Sequence, residues 1–468
     1  MGMVTSSTRA RRALDLSAHS LLIRPDMVAS LNSDLADRMD RLPLTRLHVL
    51  AMLTCGIGMT IDTLEMAFGG VLGTVFSTQS PPVPPGQLGL LLSAVFVGAV
   101  LGAPLLGWWA DRHGRRGALV ALMLWIALTS LGAAMADGVG QLTLCRFLAG
   151  LALGGYPPIV IAYLTDLLPP QRRGTLIFLS LTPSLLGPPA AIFMVRWLGP
   201  LQPLGLDGWR WGFLVGSACA LLSALSFLAL PESARWLRAR GRNAQAEAVL
   251  QAFERSPTVV AAPPDTGAAK PVEQVAPPPA PPHRRWLAVV GLFSLSPWAT
   301  IAFPLLTGAV LAQRGFRLDA ALLIFGLSSM GPLLGTLLAS AVMDRIDRRL
   351  AMAACIVAML ACGAAFNFST GTASLIVAMA LFNLAVSLYV PLLTVYSAEL
   401  FPTRQRASAT SIAWSINRLG GALGPLLLVP TLRGAGPAVM FAVVAASLIA
   451  TLGVLATSPR GLERQTVS

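Results

Sequence analysis

Charge is what this sequence is short of. Only 12% of its 468 residues are Asp, Glu, Lys or Arg, about half of the roughly 25% usual for a soluble domain. Cysteine is scarce as well. Cys55, Cys145, Cys219, Cys355 and Cys362 all lie inside apolar runs, without metal-ligand spacing, and read as small buried residues. There is no nucleotide-binding loop, metal cluster or hydrolytic constellation, so neither an enzyme nor a cofactor is expected. Residues 1–46 are polar and carry arginines, with no apolar core leading to a small-residue cleavage site, so a cleaved signal peptide is not expected. The net charge of +13 would suggest nucleic acid in a soluble chain. Here the arginines sit in short loops between apolar runs, with no basic patch interleaved with aromatics, and no nucleic-acid partner is expected.

What the chain has in abundance is apolar length. Hydrophobic residues make up 55% of it and the mean hydropathy is +0.69. Gly (43) and Pro (35) are both frequent, as membrane helices tolerate. A spanning helix needs about 20 mostly apolar residues. That length places spans near 48–76, 88–109, 117–136, 143–164, 175–197, 211–230, 286–312, 320–342, 350–368, 373–397, 408–429 and 437–457. Between the sixth and seventh, the stretch from Pro257 to Pro282 holds nine prolines among alanines and small polar residues, the composition of an extended or disordered linker. The expected organisation is an N-terminal segment 1–47, a six-helix half 48–230, a linker 231–285, a second half 286–457 and a tail 458–468. With the N-terminus inside, the inner segments carry 27 Lys and Arg against 5 outside (Arg196, Arg210, Arg314, Arg317, Arg433). By the positive-inside rule both termini are expected to be cytoplasmic, in a cell membrane.

The two halves repeat. Asp111-Arg112-His113-Gly114-Arg115-Arg116 matches Asp344-Arg345-Ile346-Asp347-Arg348-Arg349 at four of six positions, at an offset of 233. The same offset carries Tyr163, Asp166, Leu167, Pro169 and Arg173 onto Tyr396, Glu399, Leu400, Pro402 and Arg406. Two charged signatures in one register, in corresponding loops, mark a duplicated six-span unit with parallel halves. That is an architecture of transporters that alternate access around a midplane site. The fold class expected is thus an all-α polytopic membrane protein of twelve transmembrane helices in two parallel six-helix pseudo-repeats.

These residues resemble the major facilitator superfamily. Gly107-Trp108-Trp109-Ala110-Asp111-Arg112-His113-Gly114-Arg115-Arg116 matches its signature between spans 2 and 3. Pro231-Glu232-Ser233-Ala234-Arg235-Trp236-Leu237 and Tyr396-Ser397-Ala398-Glu399-Leu400-Phe401-Pro402-Thr403-Arg404 resemble its sugar-porter and metabolite–proton symporter branches. The segment from Arg41-Leu42-Pro43 to His48, then Gly56-Ile57-Gly58 and Asp62-Thr63-Leu64-Glu65, is most similar to niacin and aromatic-acid symporters, which carry an acid pair in span 1. Arg418-Leu419-Gly420-Gly421 with Pro425 points the same way. The resemblance implies that Asp111, Asp166, Glu232, Asp344 and Glu399, with Arg115, Arg173, Arg235, Arg348 and Arg406, form a cytoplasmic latch holding the halves together.

Asp62 and Glu65 stand apart because they lie mid-membrane. A central acid costs about 2.5–3.5 kcal/mol to insert, and each Leu, Ile, Phe or Val returns about 0.3–0.6. The eleven such residues of span 1 return roughly 5 kcal/mol against roughly 6 for the pair. Span 1 is marginal by itself and must line a wet site or find partners. Spaced by three, the carboxylates share a helix face, and neighbouring carboxylates in a low dielectric make a proton carrier. Arg418 lies mid-span, and its repeat counterpart is Leu185, so it falls outside the common scaffold. A guanidinium fork reads a carboxylate, which makes Arg418 the candidate substrate reader, with an ion pair to a span 1 acid as the other reading. Trp298, Phe303, Tyr389 and Trp414 could frame the site, and Tyr156 joins them because it follows Gly154-Gly155 where niacin-type carriers tend to have an acid. Arg146, near the start of span 4, reads as structurally paired. Gly150/Gly154 and Gly420/Gly424 have the spacing that lets helices approach closely.

The expectation is a proton-coupled importer of a small organic, aromatic carboxylate, working as a monomer with proton, substrate and bilayer as partners. The competing readings are an exporter exchanging protons for organic cations or drugs, and a transporter-like sensor or scaffold.

Overall fold

The computed structural model describes residues 38–260, 282–335, 347–401 and 403–459. Helices dominate: α1 Arg46–Thr78, α2 Pro85–His113, α3 Arg115–Ala134, α4 Val139–Leu167, α5 Arg173–Leu201 and α6 Gly208–Leu228 in the first half. Two short helices, α7 Ala234–Ala239 and α8 Asn243–Arg255, follow. The second half holds α9 His283–Gln313, α10 Leu318–Gly335, α11 Arg348–Phe368, α12 Thr372–Glu399 and α13 Thr403–Thr457. Among the described residues eleven helices are long and apolar enough to cross a membrane. The last, 55 residues long, would reach about 80 Å at 1.5 Å per residue, far beyond a hydrocarbon core of about 30 Å. Its backbone leaves the helical region at Gly436 (φ 89°, ψ 173°), which divides it into two pieces of spanning length. Leu53, Leu105, Trp108, Leu128, Trp197, Leu222 and Phe368 point out of the bundle, each more than half exposed, an apolar belt suited to lipid.

Sequence explains the helix ends. Gly114 between α2 and α3 sits at φ 108°, a conformation that costs glycine nothing and other residues dearly. The turn it makes lets Glu232 accept from the amides of Arg115 and Arg116, both at 3.0 Å, so a carboxylate caps the positive end of α3. Glycines also set the closest helix contacts. Gly98 and Gly102 of α2 lie against Phe147 and Leu151 of α4, while Gly150 and Gly154 of α4 lie against Val95 and Ala99. A Cβ at any of the four would strike backbone.

The repeat survives in contacts. Arg115 Nε meets Asp166 at 2.8 Å and Arg348 Nε meets Glu399 at 2.6 Å, the same pair 233 residues on. Tyr163 donates to the Pro231 carbonyl (2.6 Å) as Tyr396 donates to Pro459 (2.5 Å). Arg116 reaches the carbonyls of Phe227 and Leu228, and Arg349 those of Leu455 and Ala456. Gly331 rests on Ala380 as Gly98 rests on Phe147. Each half closes its own arginine-rich face by one recipe: third helix to fourth, and both to the end of the sixth.

A strap not foreseen in the sequence joins the segment before α1 to the one after α6. β1 (Leu44–Thr45) pairs antiparallel with β2 (Thr258–Val260), and Arg46 N donates to Pro257 O at 2.9 Å. Arg38 bonds Glu247 and Glu254 of α8 at 2.9 and 2.8 Å. The His48 ring packs on Phe253 with centroids 4.5 Å apart. The proline-rich stretch therefore begins as strand rather than loose linker; its residues 261–281 lie outside the described residues.

The halves meet at the opposite, arginine-poor ends of the helices. Leu305 and Phe325 press on Gly69 and Gly70, Thr74 abuts Gly308, Phe193 abuts Gly326, and Gly89 lies against the Pro425 backbone. Arg196 donates to the Asp319 carbonyl at 3.1 Å to close the α5–α10 edge.

Candidate functional site

The two acids of α1 occupy different chemical worlds one turn apart. Glu65 is fully buried and fully answered. Arg146 Nη1 of α4 meets its Oε2 at 3.0 Å and Nη2 meets its backbone carbonyl at 2.7 Å. Ser130 of α3 donates to Oε1 at 2.6 Å. Gly216 of α6 leaves the room, since a Cβ there would stand 2.8 Å from Oε1. The guanidinium lies over the Phe213 ring, 5.5 Å from its centroid, a cation–π contact that lessens the cost of burial. Four helices of one half thus converge on this ion pair.

Asp62 has no such cage. It is buried, and its Oδ1 has no hydrogen-bond partner. The positive charge that acts on it is Arg418, which comes from α13 in the other half. Among the described residues no ion pair within 4 Å joins the two. Gly420, Gly421 and Gly424 position that arginine: they let α13 close on Pro297, Ile301 and Ala302 of α9. There α9 widens into a single π turn, Trp298–Ala302, a distortion frequent at functional sites.

The other candidates divide. Trp298 sits half-buried on that π turn, and Trp414, one helical turn before Arg418, stands edge-on to Phe293 at 6.1 Å. Tyr389 of α12 is buried; its hydroxyl and that of Ser296 on α9 lie close without hydrogen-bond geometry, and neither has a partner. These three share the neighbourhood of α9 and α13. Phe303 does not, because its ring packs among Phe366, Phe382 and Phe441 at 5.0–6.0 Å. It is a core residue of the second half rather than a ligand contact. Tyr156 is also fully buried, within the first half, donating to the Cys55 carbonyl at 3.4 Å.

The latch set is also redrawn. Arg115–Asp166 and Arg348–Glu399 lie within single halves, and Arg115 also reaches Asp111 at 3.7 Å. Arg235 bonds Asp40 and the Asp166 carbonyl, Arg173 reaches the same Asp40, and Glu232 caps α3. Among the described residues these pairs brace helices inside a half and tie down the loop after α6, instead of bridging the halves. The physical reason is reach: Asp111, Asp166 and Glu399 each find an arginine on a neighbouring helix of their own bundle, and Glu232 finds the backbone amides that open α3. Asp344 and the Arg406 side chain lie outside the described residues.

Sequence reading missed Ser130 and Ser223, since a serine in an apolar helix carries no signal of its own. That Arg146 would have a counter-charge was findable, because an arginine inside a span demands one; which acid supplies it was not.

A duplicated, parallel bundle of this kind, with charge held at midplane between halves, defines a multi-pass membrane transporter. The chain belongs to the Major Facilitator Superfamily, whose sequence profile matches residues 50–425 and 287–466. It is 28% identical to a 4-hydroxybenzoate transporter of Pseudomonas putida over 90% of this chain and 95% of that one. It is 27% identical to a gallate transporter of the same species (87% and 90%) and 26% identical to a niacin transporter of Acinetobacter baylyi (84% and 90%). The crystal structure of a D-xylose–proton symporter superposes with a TM-score of 0.68 at 20% identity, covering 88% of this chain and 97% of that one.

Proposed function

We propose that this protein takes up a small aromatic carboxylate together with a proton by alternating access, with both termini in the cytoplasm. The observation that carries the reading is a buried acid, Asp62, without a hydrogen-bond partner at Oδ1 and under the electrostatic influence of Arg418 from the other half, with no ion pair within 4 Å among the described residues to satisfy either. While Asp62 is ionised it competes for the guanidinium. Once protonated, it leaves Arg418 free to read an incoming carboxylate by its two-pronged fork. Proton and anion then bind together, which is what symport requires. Trp298, Tyr389 and Trp414 supply aromatic and hydroxyl surface around that fork. Three relatives that carry aromatic acids or niacin support the substrate class. The seal of the halves at the arginine-poor face fits an inward-facing arrangement in this orientation.

Uptake of radiolabelled benzoate, 4-hydroxybenzoate, gallate and nicotinate into proteoliposomes, with and without an inward proton gradient, tests it. Gradient-driven accumulation of at least one acid is expected. Transport of organic cations alone, driven by an opposing proton gradient, would instead establish a drug exporter using Asp62 as its cation site.

A further inference from the structure

The first half holds a second group of polar atoms on the face of α1 that carries Asp62. Gly58 lies one turn before Asp62 on the same face of α1. Two hydroxyls crowd it: a Cβ there would stand 3.4 Å from Ser223 Oγ of α6 and nearer still to Tyr156 Oη of α4. The Cα–Cβ bond of a helical residue tilts toward the N-terminus, so the Asp62 side chain leans back toward this pair. Three buried atoms on this face keep hydrogen-bonding capacity unspent. Asp62 Oδ1 and Ser223 Oγ have no partner at all, and Tyr156 spends its single proton on the Cys55 carbonyl, which leaves its oxygen able only to accept.

We propose that Ser223 and Tyr156 form a receptor for the protonated form of Asp62, so that the acid changes partners when it takes up a proton. This rests on the symport reading above. In the ionised state Asp62 answers Arg418. On protonation its O–H donates to Ser223 Oγ, whose own O–H donates to Tyr156 Oη, which keeps its bond to Cys55 O. Every donor in that line has an acceptor, and the line ends on a backbone carbonyl that accepts without giving up a proton. No covalent bond changes beyond protonation of the carboxylate, and the proton returns by the same atom. Ser223 and Tyr156 are positioning residues, since neither needs to touch substrate.

Among the described residues the charged and titratable groups facing Asp62 are few. They are Arg418 from α13, Tyr156 from α4, Cys55 from its own helix, and Glu65, whose charge is already answered by Arg146. The remaining helices packed on α1 meet it through uncharged residues: Ser180, Ser184 and Gly187 of α5, Leu92 of α2, Leu305 and Gly308 of α9, Phe325 of α10.

The test is the pH profile of uptake in proteoliposomes, using whichever of the four aromatic acids the unaltered protein carries. Tyr156→Phe keeps the ring, and Ser223→Ala removes a group that now bonds nothing, so both variants are expected to fold. With its holder gone, protonated Asp62 is less favoured. Half-maximal uptake should move to lower pH, by about one unit in the double variant, a tenfold loss of proton affinity. Uptake at the acid plateau and counterflow should be retained. An unchanged profile, or a loss uniform across pH, overturns the receptor. Asp62→Asn separates the two readings: if it abolishes the pH dependence while the hydroxyl variants leave it in place, symport stands and the receptor falls. A pH dependence that survives Asp62→Asn, or no transport of any of the four acids, removes both.

Discussion

The two halves share a scaffold and differ in what fills it. The first is pinned at its centre by charge, the second by rings. At the 233-residue offset, Glu65, Arg146 and Ser130 correspond to Trp298, Met379 and Gly363, so the whole ion-pair cage is replaced by apolar residues. In its place stands the cluster of Phe303 with Phe366, Phe382 and Phe441. Tyr156 and Tyr389 correspond as well, both fully buried, yet one hydroxyl is bonded and the other is not. A duplicated scaffold can keep its edge contacts while its interiors diverge; under the proposed function, one half would handle the proton and the other would present the reader of the anion.

The sharpest way to break this division is to remove the acid that faces the second half. Asp62→Asn loses no hydrogen bond at Oδ1 and only the longer-range attraction to Arg418, so the variant should still fold and purify, with at most a small drop in melting temperature. It should nevertheless lose all accumulation against a gradient while exchanging pre-loaded substrate. Full gradient-driven accumulation would return the proton to another group, with Glu65 the first to suspect. For Glu65 the opposite balance is expected. Arg146→Met strands a buried carboxylate, which costs about 3–5 kcal/mol and should show as poor recovery and a lower melting temperature in detergent. Glu65→Gln added to Arg146→Met should regain much of that loss. If Arg146→Met melts normally and fails only in transport, the cage is a moving part and the comparison collapses.

How much of this was readable beforehand follows from the range of each signal. The duplication was legible because its charged signatures sit in loops where register is preserved, and the contacts Arg115–Asp166 and Arg348–Glu399 repeat the offset. That span 1 needed partners was legible from insertion energies. Which acid would be paired was not, since Ser130 and Arg146 are 65 and 81 positions from Glu65 and no local pattern links them. Aromatics were hard to sort for a related reason: Phe303 and Tyr389 were equal candidates to frame the site, and only the fold decides that one meets three rings and the other lies near a serine. The latch was legible only as a set of charges, because a signature shows which charges recur without showing which helix each faces. The β1–β2 strap left no trace, being two and three residues long beside prolines.

A milder lesion probes the second half's contribution. Arg418→Lys keeps the charge and loses the fork. It should weaken binding of the aromatic acid by about 1.5–3 kcal/mol, the worth of a charged hydrogen bond, or roughly 10- to 150-fold in Kd by isothermal titration. Proton dependence should persist, because Asp62 is intact. Unaltered affinity would show that the carboxylate binds elsewhere.

The smallest effect expected is also the cleanest check that the scaffold, unlike the interior, is shared. Arg115→Gln and Arg348→Gln cut the same ion pair in the two halves. The arginines are 22% and 31% exposed and their acids 16% and 18%, between a surface pair worth about 0–1 kcal/mol and a buried pair whose breakage costs about 3–5. About 1–2 kcal/mol is expected for each. The first should be slightly dearer to lose, since Arg115 also reaches Asp111, and slightly cheaper to survive, since Asp166 keeps its bond from Ser233 at 2.7 Å. Those corrections oppose each other, so the two variants should melt within a degree or two of one another. A large drop for one alone would mean that the pair braces that half and is ornamental in the other, and that the division of labour between the halves extends from their interiors to the scaffold itself.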